Sequence, residues 1–169
     1  MKEKKINQFL VLALLLLFAI SLNFPSQTFS AEASSSKEEG DEPLLFRLPV
    51  KKIIDGDTIV LDGGRVIRYV GIDTPEYGEA FFWEATNKNK SHLKETEVLV
   101  VVCSEEPFDR FGRTLGWVSA NGVDIGAELL RAGLAKTLMI PPCGREKSKE
   151  YKALEEEAKK NRIGIWSQK

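Results

Sequence analysis

The sequence has little of several residue types on which protein function often depends. It contains one histidine, two cysteines and two methionines among 169 residues. A structural zinc site takes about four ligands, so one histidine and two cysteines do not suffice for one. Two cysteines also exclude a small fold held together mainly by many disulfides.

An excess of charge of one sign is absent as well. The chain has 24 Lys and Arg against 25 Asp and Glu, a formal net charge of −1. A protein that coats nucleic acid through bulk positive charge is therefore excluded, and any nucleic-acid function requires a local site. Hydrophobic residues make up 43% and charged residues 29% of the chain, an ordinary globular composition.

One long apolar run stands near the first residue. Three lysines precede Phe9–Leu22, a run of 14 residues whose single polar member is Ser21, and small residues around Ala31 and Ala33 follow. This layout is typical of a secretory signal peptide, and the run is short for a membrane span. We expect residues 1–33 to be a signal peptide and the protein to be exported. The alternative is an uncleaved segment that anchors the protein in a membrane.

The rest of the chain is long enough for a single domain. Residues 34–43 are polar and aperiodic and predict a flexible linker, so the domain is expected over 44–169. Short β-rich runs separated by Gly-containing turns predict a small barrel with helices packed at its ends. The predicted strands are 50–54, 58–61, 65–72, 98–103 and 113–119, with a possible last strand at 134–140, and the predicted helices are 84–93, 124–131 and 146–160.

Two carboxylate clusters follow predicted strands. Asp55 and Asp57 flank a glycine at a turn between strands, and Asp73 and Glu76 flank a Thr-Pro pair at the end of the next one. Hard cations such as calcium prefer several oxygen ligands, which two such turns could supply. Taken alone, an Asp-Gly-Asp sequence is more often a tight turn with solvated carboxylates.

Two arginines strengthen this interpretation. Arg68 precedes Asp73 by five residues on the same predicted strand, and Arg113 follows the turn that begins at Asp109. Two guanidinium groups facing a metal would hold a phosphodiester and stabilise its transition state. Glu76 would then act as a base or position a water molecule. The alternative for either arginine alone is a surface salt bridge.

The motifs together resemble the staphylococcal nuclease (thermonuclease) family. They read IIDGDT, RYVGIDTPE, DRFGR, LLRAGLAK and IGIW, and the resemblance extends over about residues 48–167. It implies an α+β, mainly β, fold: a five-stranded OB-fold barrel with three helices. It also implies calcium-dependent hydrolysis of DNA and RNA with low sequence specificity, leaving 3′-phosphate ends. The expected partners are these nucleic-acid substrates alone, with no stable protein partner, and the expected state is a monomer.

The resemblance also implies roles for individual residues. By position, Asp57 and Asp73 would bind calcium through their carboxylates, and Thr74 would bind it through its backbone carbonyl. Asp55 would lie beside the metal. The catalytic residues would be Arg68, Glu76 and Arg113.

The chain departs from the family pattern around the nucleotide. Phe111 stands where a well-known secreted member has tyrosine, and Met139 and Pro141 stand near the positions of two further tyrosines that cradle the nucleotide. Arg110 replaces a lysine and can still contact a phosphate, so Arg110 and Phe111 are the expected substrate-binding residues. The missing tyrosines favour an alternative function, a non-catalytic OB-fold module that binds nucleic acid or protein.

Two further groups of residues leave alternatives open. The even cysteine count of an exported protein invites a disulfide between Cys103 and Cys143, which the family fold would bring close together, or the two remain free thiols. Several aromatic residues crowd the segment after Glu76 and either stack on bases or pack on the barrel. They are Tyr77, Phe81, Phe82 and Trp83.

Overall fold

The computed structural model describes residues 44–94 and 97–167. The predicted signal peptide at 1–33 and the predicted linker at 34–43 lie outside the described residues. Within the described ranges, no helix is both long enough and apolar enough to cross a membrane.

Eight strands, three α-helices and a short 3₁₀ helix make up the described part of the chain. In chain order they are β1 (Leu45–Ile53), β2 (Thr58–Leu61), β3 (Val66–Tyr69), β4 (Gly71–Asp73), α1 (Phe82–Leu93), β5 (Glu97–Val102), β6 (Thr114–Ala120), β7 (Val123–Asp124), α2 (Ile125–Arg131), β8 (Lys136–Leu138), α3 (Ser148–Asn161) and the 3₁₀ helix Gly164–Trp166.

Five of the strands form a closed barrel. The sheet runs in the order β3-β2-β1-β5-β6, and β3 pairs with β6 to close it. The closing pair is parallel, with Ile67 opposite Thr114 and Arg68 opposite Leu115, whereas the other neighbours are antiparallel. This five-stranded barrel with three helices confirms the predicted OB-type fold. β4 and β8 form a separate two-stranded antiparallel sheet.

The barrel interior is filled by the alternating apolar side chains of its strands. In β5 and β6 every second residue is buried, as period-2 patterning requires. α2 packs its apolar residues against this core and begins as predicted, since the Asp124 carboxylate accepts a hydrogen bond from the Ala127 N–H at 3.1 Å. The fully buried residues of the core include Ile59, Leu61, Ile67, Ile72, Val98, Val100, Ile125, Leu129 and Leu130.

Two predicted strands differ from the observed ones by more than two residues. β1 begins at Leu45 rather than Val50, and it pairs with β5 from Leu45 to Pro49. The single strand predicted over 65–72 is two strands, because the chain turns at Gly71, where φ is +86°. Glycine suits this position because L-residues rarely adopt a positive φ, and a Cβ there would lie 3.1 Å from the Tyr151 ring. This turn moves β4 out of the barrel and towards β8.

Candidate active site

The turn between β1 and β2 holds the Asp57 carboxylate in a buried position. Asp57 is 5% exposed. Its Oδ2 accepts hydrogen bonds from the backbone N–H of Thr74 at 2.8 Å and from the Thr74 hydroxyl at 3.0 Å. A Cβ on Gly56 would lie 2.7 Å from the Thr74 Oγ1, so only glycine lets the two segments approach this closely. The Asp-Gly-Asp and Asp-Thr-Pro-Glu motifs are therefore in direct contact.

Arg68 connects the two aspartates predicted to bind calcium. Its Nε lies 3.2 Å from Asp57 Oδ1, and its Nη2 donates to Asp73 Oδ1 at 2.9 Å. Its Nη1 donates to the carbonyls of Tyr69 and Ile72 at 2.6 and 2.8 Å. A guanidinium has five N–H donors, so these contacts leave one N–H for another acceptor. The turn at Gly71 makes this arrangement possible by bringing the chain back over Arg68.

The Asp57 carboxylate receives too little positive charge to ionise as easily as an exposed one. Burial and the neighbouring Asp55 raise the pKa of Asp57, and Arg68 and the Thr74 hydrogen bonds offset only part of this, so the pKa stands at about 6. A cation beside this carboxylate would favour its charged form. The electrostatics therefore fit a bound metal ion.

The donor atoms also fit a hard cation. The predicted ligands are the carboxylates of Asp57 and Asp73 and the backbone carbonyl of Thr74, and all three supply oxygen. In the described ranges, no three His, Cys, Asp or Glu side chains come together as a metal site. Calcium takes six to eight oxygen ligands, so water and a substrate phosphate would have to supply the remainder.

Arg113 is held by a turn between β5 and β6. The Asp109 carboxylate accepts the backbone N–H groups of Phe111 and Arg113 at 2.9 and 3.0 Å and the Arg113 Nε at 2.6 Å. Burial raises the pKa of Asp109, but these bonds outweigh it and leave the pKa below its usual value. The Nη atoms of Arg113 make no hydrogen bond within the described part of the chain, so they can donate to a substrate.

A pocket of about 410 Å³ brings the two arginines together. Arg68 and Arg113 both line it, together with the expected substrate-binding residues Arg110 and Phe111. The Arg110 and Arg113 guanidinium groups lie 4.7 and 5.5 Å from the centre of the Phe111 ring, which is 69% exposed. The rest of the lining is largely apolar and includes Leu115, Leu138 and Ile140.

A disulfide borders this pocket through Cys143, one of the lining residues. Cys103 lies directly after β5 and Cys143 in the segment after β8, and they form a bridge with a Cα–Cα distance of 5.9 Å. The bridge is buried against Val70, Leu115 and Trp117. It ties the segment that leads to Arg113 to the segment that follows Ile140.

Glu76 does not line the pocket that holds the two arginines. It lines a second cavity of about 470 Å³ together with Asp73, Thr74 and Lys136. Its backbone N–H donates to the Glu79 carboxylate at 2.8 Å. Its own carboxylate has no hydrogen bond or ion pair among residues 44–94 and 97–167, and Glu76 is exposed. It is therefore accessible to water.

The structure gives a packing role to two of the aromatic residues after Glu76 and leaves two of them exposed. Phe82 is 7% exposed and Phe81 packs on the core, so these two stabilise the fold. Tyr77 and Trp83 are 79% and 62% exposed and meet edge to face, with ring centres 6.3 Å apart. Stacking on bases remains a prediction for this exposed pair.

The sequence analysis assigned no role to two residues that organise the site. Asp109 shapes the turn that carries Arg113, and its place at the start of a turn closed by Gly112 was a usable signal. Asn89 donates to the carbonyl of Asp55 at 3.0 Å from the middle of α1. No local pattern identifies Asn89, because its partner lies 34 residues away.

Comparison with known proteins identifies the family. The sequence profile described as staphylococcal nuclease homologue matches residues 66–168. A thermonuclease of Staphylococcus intermedius is 34% identical over 69% of this chain and 74% of its own length. A micrococcal nuclease of Shigella flexneri is 34% identical over 72% and 74%, and a thermonuclease of Staphylococcus hyicus is 27% identical over 97% and 99%. The chain thus belongs to the staphylococcal nuclease family of phosphodiester-hydrolysing enzymes, as its motifs and its barrel had indicated.

Proposed function

We propose that this protein is a calcium-dependent nuclease that cuts DNA and RNA with low sequence specificity and leaves 3′-phosphate ends. The observation that carries the proposal is the position of Arg68, which contacts both Asp57 and Asp73 and shares a pocket with Arg113. One face of this group offers carboxylate oxygens to a cation and the other offers guanidinium groups to a phosphate. That pairing suits phosphodiester hydrolysis.

The arginines hold the phosphate. The Nη atoms of Arg113 donate to non-bridging phosphate oxygens while Asp109 keeps its Nε in place. Arg68 contributes its one remaining N–H and the positive charge. Both interactions strengthen as negative charge accumulates on the phosphate oxygens in the transition state.

Glu76 acts on the attacking water. Its exposed carboxylate accepts a proton as the water oxygen forms a bond to phosphorus. The bond between phosphorus and the 5′-oxygen breaks, and that oxygen takes a proton from solvent water to become a hydroxyl. The other product ends in a 3′-phosphate. Calcium bound by Asp57, Asp73 and the Thr74 carbonyl would neutralise charge on a phosphate oxygen and help to orient the water.

The pocket supports low sequence specificity. Phe111 and the apolar side chains around it offer a base a face to stack on, and Arg110 and Arg113 offer its phosphates positive charge. Stacking and phosphate contacts do not distinguish one base from another. Single-stranded DNA and RNA therefore both fit as substrates.

Export is part of the proposal. The N-terminal pattern of residues 1–33 supports it, and so does the Cys103–Cys143 bridge, because disulfides persist in oxidising compartments outside the cytosol. We propose that the exported protein works as a monomer. Light scattering on the purified protein and fractionation of the producing cells test these two points separately.

The test of the activity is a cleavage assay on heat-denatured DNA and on RNA, with calcium in one series and a calcium chelator in the other. Glu76→Gln is run beside Glu84→Gln, an exposed glutamate of α1 that serves as the matched control. Cleavage should require calcium, fall by about 10² to 10⁴ in Glu76→Gln and stay unchanged in the control. New 5′-hydroxyl ends should be phosphorylated by a polynucleotide kinase without prior phosphatase treatment.

A second function is favoured by the Phe111, Met139 and Pro141 departures. An OB-fold module that only binds would form a saturable complex with the same DNA and produce no new ends. That result from a folded protein would replace the nuclease proposal. Equal cleavage with calcium and with chelator would retain the nuclease and remove the calcium assignment.

A further inference from the structure

A polar side chain occupies a core-facing position of α1. The helix buries Phe82, Ala85, Asn89 and Leu93, which recur at three- and four-residue intervals along one face. Asn89 is fully buried. Burying a side-chain amide without hydrogen-bond partners is strongly unfavourable. On the buried face of α1, Asn89 therefore needs a donor for its oxygen and an acceptor for its nitrogen.

Both partners lead to the turn that carries Asp57. The Asn89 Oδ1 accepts a hydrogen bond from the Tyr69 hydroxyl at 3.0 Å, and its Nδ2 donates to the Asp55 carbonyl at 3.0 Å. The backbone N–H of Tyr69 donates to the Asp57 carbonyl at 2.9 Å. Tyr69 is 3% exposed and Asn89 is fully buried, so the hydrogen bond between them is shielded from water.

These bonds hold the backbone on both sides of Gly56. Before Gly56, the Asp55 carbonyl accepts a hydrogen bond from Asn89, and after Gly56 the Asp57 carbonyl accepts one from the Tyr69 N–H. Asn89 and Tyr69 are also hydrogen-bonded to each other. On the opposite side the turn already touches Thr74, whose N–H and hydroxyl donate to Asp57 Oδ2. The turn is therefore held between the α1 side and the Thr74 side.

We propose that Asn89 and Tyr69 are positioning residues for the Asp57 carboxylate. They do not touch the cation or the substrate. They keep the turn in contact with Thr74, so that both carboxylate oxygens of Asp57 stay in the positions that calcium binding requires. The effect on calcium binding rests on the proposed calcium site. The claim that Asn89 and Tyr69 hold the turn rests on the hydrogen bonds alone.

The variants separate positioning from stability. Tyr69→Phe removes only the hydroxyl, Asn89→Leu replaces the amide by an apolar side chain of similar volume, and the double variant removes both partners together. Replacing both members of a buried polar pair by apolar groups of similar shape can be nearly neutral for stability. Tyr151→Phe is the matched control, since it deletes another buried tyrosine hydroxyl, here bonded to Asp124.

Two NMR measurements on the full chain provide the readouts. Hydrogen exchange of the Thr74 amide, measured without metal, reports whether Asp57 still accepts its bond. Titration with calcium chloride, followed at the amides of Asp57 and Thr74, gives the calcium dissociation constant. Residues that orient metal ligands typically change affinity by 10- to 100-fold, and we expect about tenfold weaker calcium binding in the double variant. Thr74 exchange should accelerate by a similar factor.

The outcomes separate the inference from the function on which it rests. If the double variant binds calcium within twofold of the wild type with unchanged Thr74 exchange, Asn89 and Tyr69 serve only the core and the inference is wrong. A loss of affinity of the same size in Tyr151→Phe would also overturn it, because general destabilisation would then be the cause. If the wild-type amides do not respond to calcium, the calcium proposal fails, and Thr74 exchange still decides whether the pair holds the turn.

Discussion

Arg68 and Asp57 form a largely buried ion pair, with the guanidinium Nε 3.2 Å from the carboxylate Oδ1. We expect Arg68→Lys to weaken both stability and catalysis, because an ammonium group cannot reach two carboxylates and two carbonyls from one position. The free energy of unfolding should fall by about 2 kcal/mol. Turnover should fall by about 10² or more, the typical effect of losing one transition-state donor.

The control for that change is Arg65→Lys. Arg65 is exposed beside β3 and lies over the Phe46 ring, 4.8 Å from its centre. Urea unfolding and cleavage rates should both remain close to wild type. If Arg68→Lys behaves like Arg65→Lys, the central place given to Arg68 is wrong.

Phe111 should contribute to substrate binding rather than to the chemical step. Its ring is exposed beside Arg110, and stacking on a base contributes about 1–3 kcal/mol. We expect Phe111→Ala to raise the KM for single-stranded DNA about tenfold with little change in kcat. Val123→Ala, an exposed apolar residue of β7, should change neither constant. Steady-state kinetics on a short oligonucleotide measure both, and a fall in kcat alone would contradict the assignment.

The disulfide should contribute substantially to stability. It closes a loop with a sequence separation of 40, and the loop-entropy relation gives up to about 4 kcal/mol for that length. Urea unfolding with and without a phosphine reductant should show this difference in the wild type. The double variant Cys103→Ala/Cys143→Ala should be insensitive to the reductant, and a wild-type protein equally insensitive would show that the bridge does not form.

Glu155 should make stability depend on pH at acid values. Burial raises its pKa, but bonds from the Thr137 N–H and hydroxyl and from Lys159 outweigh this, and the pKa is lowered from 4.5. A lowered folded-state pKa means that the stabilisation is present above pH 4.5 and is lost as the pH falls through the folded value. Glu155→Gln should thus lower the free energy of unfolding by about 2 kcal/mol at neutral pH.

The difference between Glu155→Gln and the wild type should shrink as the pH drops below 4.5, the ordinary value for a glutamate. Denaturant unfolding at neutral and at acid pH measures it. Glu156→Gln is the control on the same helix, because the Glu156 side chain is 69% exposed and, among the residues that the structure describes, it pairs only with Lys159. A constant difference at both pH values would mean that the carboxylate charge is unimportant.

Local patterns predicted most of the fold. The Asp124 cap, the buried alternation of β5 and the glycine-marked turns are all local signals. The start of β1 was missed because a proline within a run of residues argues against a central strand. Pro49 nevertheless lies within β1, opposite Glu97 of β5. The break at Gly71 was missed because residues that favour strands stand on both sides of it, Tyr69 and Val70 before and Ile72 after.

The site was less accessible to prediction than the fold. Motifs identified Asp57, Asp73 and Arg68. The Arg68–Asp57 contact follows from the pairing of β2 with β3, in which Thr58 lies opposite Arg68, whereas the Arg68–Asp73 contact depends on the turn at Gly71. Asn89 lies in a run of polar residues that resembles a solvent-exposed helix face, and only the folded structure shows that it enters the core. Long-range polar contacts of this kind leave no periodic signal in a single sequence.

The parallel pairing of β3 with β6 has a consequence for the cell that makes the protein. Arg68 lies on one of these strands and Arg113 directly precedes the other, 45 positions further along the chain. Only the closed barrel brings both into one pocket. We therefore expect a newly synthesised chain that has not yet closed its barrel to lack an intact cutting site, and to leave the nucleic acid of its own producer uncut until folding is complete.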